Sequence, residues 1–150
     1  MTDTALTRDA LRTDVHRYAR HKAIALKYAD VGASGEVSTI AIARLFEDGR
    51  YMIRSHIDHP IARDRQVGFV LARVRIDLLE PLYYPGTVDV AIGVGRAGRS
   101  SFDYVTALFQ YGHCVALSDA TVAVRDRSRG TGNPLDPSFH AALAPLHYAR

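Results

Sequence analysis

Cysteine is nearly missing from this chain: its 150 residues contain one, Cys114. A single thiol excludes an internal disulfide framework and a zinc site built from cysteines. Cys114 stands in an apolar stretch, where a thiol acts as a small packing group rather than a nucleophile. Long apolar runs are also absent. No stretch of 18 consecutive apolar residues occurs, so no membrane span is expected. The opening MTDTALTRDALRTD carries acids and has no apolar core, so a secretory signal is not expected and the cytoplasm is the expected location. Charge imbalance is slight: 19 Lys and Arg against 16 Asp and Glu leave a formal +3, with arginine carrying the excess. That surplus does not point to nucleic acid, and the aromatic–basic clustering of a single-strand binder is missing. It does suit a phosphorylated small molecule if several arginines converge. Internal repeats and low-complexity segments are absent as well.

What is present is an ordinary globular composition, 47% hydrophobic. The length implies one domain over 1–150, burying about 70% of the surface of the unfolded chain. Its organising stretch runs from Tyr28 to Ile57. A loop with Gly32 and Gly35 leads through Ser38-Thr39 into a segment where Ile40, Ala43, Leu45, Phe46, Met52 and Ile53 recur every three to four residues. That is the spacing of an amphipathic helix. Ser38 or Thr39 suits the N-cap, because a hydroxyl there accepts from an orphan backbone N–H. Asp58-His59-Pro60 ends the helix, since a residue before proline is pushed out of the helical region.

Around this helix the period is two. Residues 1–18 form a polar extension with a weak helical pattern at Leu6, Leu11 and Val15, suited either to covering an edge or to staying partly mobile. HKAIALKY (21–28) reads as a first strand. From Gln66, Val70, Ala72, Val74, Ile76 and Leu78 alternate with Arg73, Arg75 and Asp77. Val88, Val90, Ile92 and Val94 form the next strand, Gly95–Arg99 a glycine-rich turn, Ser100–Gln110 a strand, and Tyr111-Gly112 a tight turn into His113–Asp126. Pro137 opens a short terminal helix. The expectation is an α+β fold in the order β-α-β-β-β-β. Three successive hairpins follow the helix, and about five antiparallel strands curl around it with helix cover on one face only.

These residues resemble a known family. Tyr28, Asp30 and Gly35, then Phe46, Glu47 and Arg50 on the helix, follow the signature of the hotdog fold in its hydroxybenzoyl-CoA thioesterase-like branch. Ile76-Asp77, Glu80-Pro81-Leu82, Gly98-Arg99-Ser100-Ser101 and Val124-x-Asp126 with Pro134 fall in the family's order, so the resemblance spans roughly residues 20–145. It implies a homo-oligomer, dimer or tetramer, that hydrolyses an acyl-CoA or acyl carrier protein thioester without a cofactor or metal. Two positions depart from the pattern. Gly32 stands where many members carry a catalytic Asp, and Glu36-Val37-Ser38-Thr39 replaces His-x-Asn-Asn. A non-catalytic acyl-CoA-binding or regulatory protein is therefore the competing class.

Hydrolysis of a thioester needs an oxyanion site, a carboxylate and a grip on the carrier. A helix N-terminus offers unpaired N–H groups and about half a positive charge. By resemblance the carbonyl sits near Thr39, with Ser38 and Gly35 beside it. Glu47 lies eight residues after Thr39, about 12 Å along the helix. In another branch of the fold an acid at this offset is catalytic, reached across the dimer interface. A charge on so apolar a helix needs a partner or a purpose. The other readings of Glu47 are a pair with Arg44, Arg50 or a strand arginine, or a solvated position. Glu36 and Asp30 are further carboxylates on the loop. Arg96, Arg99 and Ser100 at one strand turn, with Arg125, Arg127 and Arg129 at the end of the last strand, suit phosphate oxygens or a solvated surface. Tyr83, Tyr84 and Tyr104 either line an acyl pocket or pack. His56 and His59 flank Asp58 beside a proline and read as surface histidines rather than metal ligands.

Overall fold

The structure is a computed structural model that describes residues 10–149. Leu6 of the amino-terminal pattern lies outside the described residues. One helix, α1 (Thr39–Arg54), packs on an antiparallel sheet of β1 (Arg20–Ala25), β2 (Val67–Leu78), β3 (Thr87–Ala97), β4 (Ser101–Gln110) and β5 (His113–Asp126). A two-residue β6 (Thr131–Gly132) pairs with β5, and a short α2 (Pro137–Leu143) follows. The strands lie in the order β1-β3-β4-β5-β2. No helix among the described residues is long and apolar enough to cross a membrane.

α1 starts where its cap chemistry requires. Ser38 is extended, and its Oγ accepts from the Ala41 N–H at 3.1 Å. The buried stripe is Ala41, Ile42, Leu45, Phe46, Gly49 and Ile53, with Leu45, Phe46 and Ile53 fully enclosed. Ile40, expected on that stripe, instead faces outward at 84% exposure. The helix ends at Arg54, with Ser55 as its C-cap, a few residues before Pro60. Tyr28–Asp30 is a 3-10 turn and not the end of the first strand.

Three expectations need correction. First, of the three expected hairpins β3-β4 and β4-β5 form and β2-β3 does not, because β2 pairs with β5 and β3 with β1. The 79–86 connector carries the chain across the sheet end. It is held there by the Val37 N–H donating to Leu82 O and the Leu26 N–H donating to Gly86 O, both at 2.9 Å. Secondly, the alternation in β2 does not mark a buried face. A bulge between Leu71 and Arg73 interrupts the register, and Val70, Leu71, Val74 and Leu78 are each 44–54% exposed on this edge strand. Thirdly, the amino-terminal extension, suited to an edge, lies instead on the face that α1 leaves without helix cover. Tyr18 packs with Ala91, Ala107, Phe109 and Leu117 opposite α1, and Arg12 donates to Asp119 at 2.8 Å. The amino-terminal extension thus covers a face, while α2 closes the far end of the α1 side through Phe139 and Leu143.

Candidate active site at the α1 amino terminus

The loop before α1 is a small closed structure. Val31 bridges Val37, Gly32 N–H donates to Glu36 O at 2.8 Å, and Gly35 takes φ +84°, a left-handed conformation that glycine adopts without strain. Asp30 holds this loop in place. It is 2% exposed, and its two oxygens take the Lys27 N–H and the Arg44 guanidinium, each at 2.8 Å. With both oxygens engaged, Asp30 is a structural carboxylate. Gly32 has little room for a side chain, since a Cβ there would lie 3.3 Å from Ser38 Cβ.

Ser38 satisfies the Ala41 N–H, and Ile42 N–H returns to Ser38 O. Among the described residues none accepts from the N–H groups of Thr39 or Ile40. Thr39 lines a cleft of about 330 Å³ whose walls also include Glu36, Ser38, Leu78, Glu80 and Leu82, while Ile40 lines the seam between α1 and β2. Two carboxylates thus share a cleft with the open end of the helix. Glu80 had a place in the sequence only within a strand-end motif, and nothing in its spacing distinguished it from a surface acid.

Glu47 is exposed and stands apart from this cleft. It lines the seam between α1 and β2, with Ile40, Ala43, Leu71, Val74 and Ile76 around a pocket of about 350 Å³. Arg44 is taken by Asp30, and Glu47 makes no ion pair within 4 Å among the described residues. Further along the seam lies a pocket of about 160 Å³ between Glu47, Arg50, Arg54, Phe69, Leu71, Tyr104 and Val122. Burial lowers the pKa of the Arg50 guanidinium, against the charge of Glu47, and raises that of the Tyr104 phenol, which therefore stays protonated.

The arginines suggested for phosphate do not meet this cleft within one chain. Arg99 and Ser100 occupy the β3–β4 turn, Arg96 pairs with Asp103 at 3.6 Å, and Arg129 pairs with Asp126 at 3.8 Å. Arg125 and Arg127 are exposed beside them. All lie at the end of the sheet away from the α1 amino terminus, some 30 Å off at about 3.3 Å per strand residue. Tyr83 and Tyr84 are 52% and 38% exposed. His59 is a structural pin: its ring caps Ile61 N–H, sits 2.9 Å from Ser138 Oγ and packs edge-on against Phe139. Burial pushes the Cys114 thiol up to about 11, so it is protonated and unreactive at neutral pH.

The architecture recurs among solved proteins. A predicted thioesterase from Bacillus stearothermophilus matches with a TM-score of 0.77 at 19% identity, over 87% of this chain and 97% of its own. A Thermus thermophilus thioesterase, solved with coenzyme A and zinc, matches at 0.75 and 19% identity over 86% and 94%. The chain has the hotdog fold. A gentisyl-coenzyme A thioesterase shares the fold at 0.73 and 15% identity, over 83% of this chain and 99% of that one. No protein-family model matches the chain, and no curated protein matches it in sequence. As in other hotdog domains, the helix lies against a curled antiparallel sheet, and here that places the amino end of α1, at Thr39, on a carboxylate-lined cleft.

Proposed function

We propose that this hotdog protein hydrolyses an acyl thioester of coenzyme A or of an acyl carrier protein. The observation that carries the reading is the unclaimed N–H of Thr39, with that of Ile40 one residue further on, at a helix end whose cleft is lined by Glu36 and Glu80. A thioester carbonyl placed there gains oxyanion stabilisation without any side chain reacting. One such donor is worth on the order of a hundred- to a thousandfold in rate.

Water has to be activated, and Glu47 is the proposed base, supplied by a second copy. Ala43 lies four residues from both Thr39 and Glu47, about 6 Å along the axis from each. Ala43 and Val74 line the same seam. A two-fold axis beside them sets two α1 helices antiparallel and brings Glu47 of one copy against Thr39 of the other. Glu47 takes a proton from water as the water oxygen bonds to the carbonyl carbon. The oxyanion rests on the amides, the C–S bond breaks, and the thiolate receives the proton. The same operation places the Arg127–Arg129 end of one sheet beside the cleft of its partner, where guanidinium groups suit the carrier's phosphates.

Glu47→Gln tests this in a thiol-release assay with short, long and aryl CoA esters. Turnover should fall on the order of a hundredfold or more in a protein of unchanged circular dichroism. Unchanged turnover removes Glu47, and Glu36→Gln and Glu80→Gln then test the carboxylates already in the cleft. Gly32, in place of the loop acid, favours the second reading, a binding protein without catalysis. That reading requires CoA-ester binding with no thiol release from any ester.

A further inference from the structure

The small pocket at the far end of the seam holds two donors that nothing among the described residues satisfies. Tyr104 is 2% exposed, and its Oη is buried without a hydrogen-bond partner; Arg50 Nη1 is likewise buried and unpartnered. Both line the pocket of about 160 Å³, whose other walls include Phe69, Leu71 and Val122. A buried donor left unsatisfied is costly, and more so when charged, so two in one small cavity point to a ligand that supplies acceptors. The neighbours do not supply them. Arg54 Nε is turned away to Ala62 O at 3.0 Å, with its guanidinium over the Phe69 ring, and Glu47 stays outside ion-pair range.

We infer that this pocket receives the far end of the acyl group, and that this end carries a carboxylate. The inference rests on the thioesterase reading for placing an acyl group in the seam at all. Charge selects a carboxylate over a hydroxyl. Arg50 is half-buried with its Nη1 enclosed, and Glu47, on the same pocket wall, forms no ion pair with it; a neutral phenol or alcohol cannot neutralise that cation, whereas a carboxylate accepts from both Arg50 Nη1 and Tyr104 Oη. Size selects a short group. A cavity of about 150 Å³ holds one benzene-sized molecule, so a four- or five-carbon diacid fits and a long chain does not. Position agrees, because Arg50 follows Glu47 by three residues, about 4.5 Å along α1. A thioester at the Thr39 amides, facing Glu47 of the second copy, reaches that copy's Arg50 with a short acyl chain. The substrate class is the mono-CoA thioester of a short dicarboxylic acid.

Calorimetry with non-hydrolysable thioether analogues tests this independently of catalysis. In the intact protein the succinyl- or glutaryl-CoA analogue should bind at least tenfold tighter than the uncharged butyryl analogue. Arg50→Gln should erase that preference, and Tyr104→Phe, which keeps the ring, should reduce it several-fold. Equal binding of the two analogues, no binding of either, or a preference untouched in both variants overturns the inference. A tenfold preference that disappears in Arg50→Gln supports it even when no ester releases thiol. In that case it is the hydrolase reading that has failed.

Discussion

A single methyl group tests how closely the helix meets the sheet. Gly49 sits mid-helix, where glycine costs about 1 kcal/mol relative to alanine, so Gly49→Ala should stabilise an isolated helix. In this fold a Cβ at 49 would lie 2.7 Å from Val90 Cγ1, on a valine with no exposure. Overpacking of that kind costs about 1–3 kcal/mol and outweighs the propensity gain. Gly49→Ala should therefore lower the urea midpoint, and Val90→Ala should recover part of the loss in the double variant, a coupling expected of residues in contact. A Gly49→Ala protein as stable as its parent would show that the helix can shift away. Asp30 makes the complementary point. Its buried carboxylate links the Lys27 N–H to the exposed Arg44 side chain, so Asp30→Ala should cost about 1–3 kcal/mol in denaturant while leaving turnover per folded molecule largely intact. The sequence marked Asp30 as a motif acid and could not say whether it was catalytic. Only the fold shows both oxygens already engaged.

Elements were legible to the extent that local chemistry defines them. The Ser38 cap, the Tyr111-Gly112 turn with φ of +51° and +80°, the limits of β5 and the start of α2 at Pro137 all match signals a few residues long. What was not legible depends on partners far along the chain. The crossover from β2 to the opposite side of the sheet, the Leu71/Arg73 bulge and the outward Ile40 leave no period of their own. The caps also give a pH prediction. The Ser138 hydroxyl, then the Phe139 N–H, hold the Asp136 carboxyl below its ordinary pKa. A carboxyl depressed by folding stabilises the protein above its unfolded pKa of about 4, and that contribution disappears as pH falls through the folded value. Asp136→Asn keeps a capping acceptor but not the charge. Its melting temperature should trail the parent's at neutral pH and approach it in acid, and a gap that stays constant with pH would contradict the linkage.

At the scale of the molecule, the two sheet edges differ. β1 is six residues long and begins Arg20-His21-Lys22, the short charged edge that discourages pairing. β2 is twelve residues long and leaves Val70, Leu71, Val74 and Leu78 open to solvent, with Ile40 of α1 standing nearby along the same seam. A long apolar edge of this kind needs cover, and a second copy supplies a matching strand under two-fold symmetry. The proposed chemistry requires that pairing, because Glu47 and Thr39 meet only between copies. Val74→Lys places a charge near the proposed axis in both copies at once, and like charges facing across an interface cost several kcal/mol. That is a loss of two orders of magnitude or more in dimer affinity. The variant should sediment as a folded monomer at micromolar concentration and lose thiol release together with its dimer. A dimer that survives Val74→Lys would place the interface elsewhere and leave Glu47 too far from the α1 amides to act.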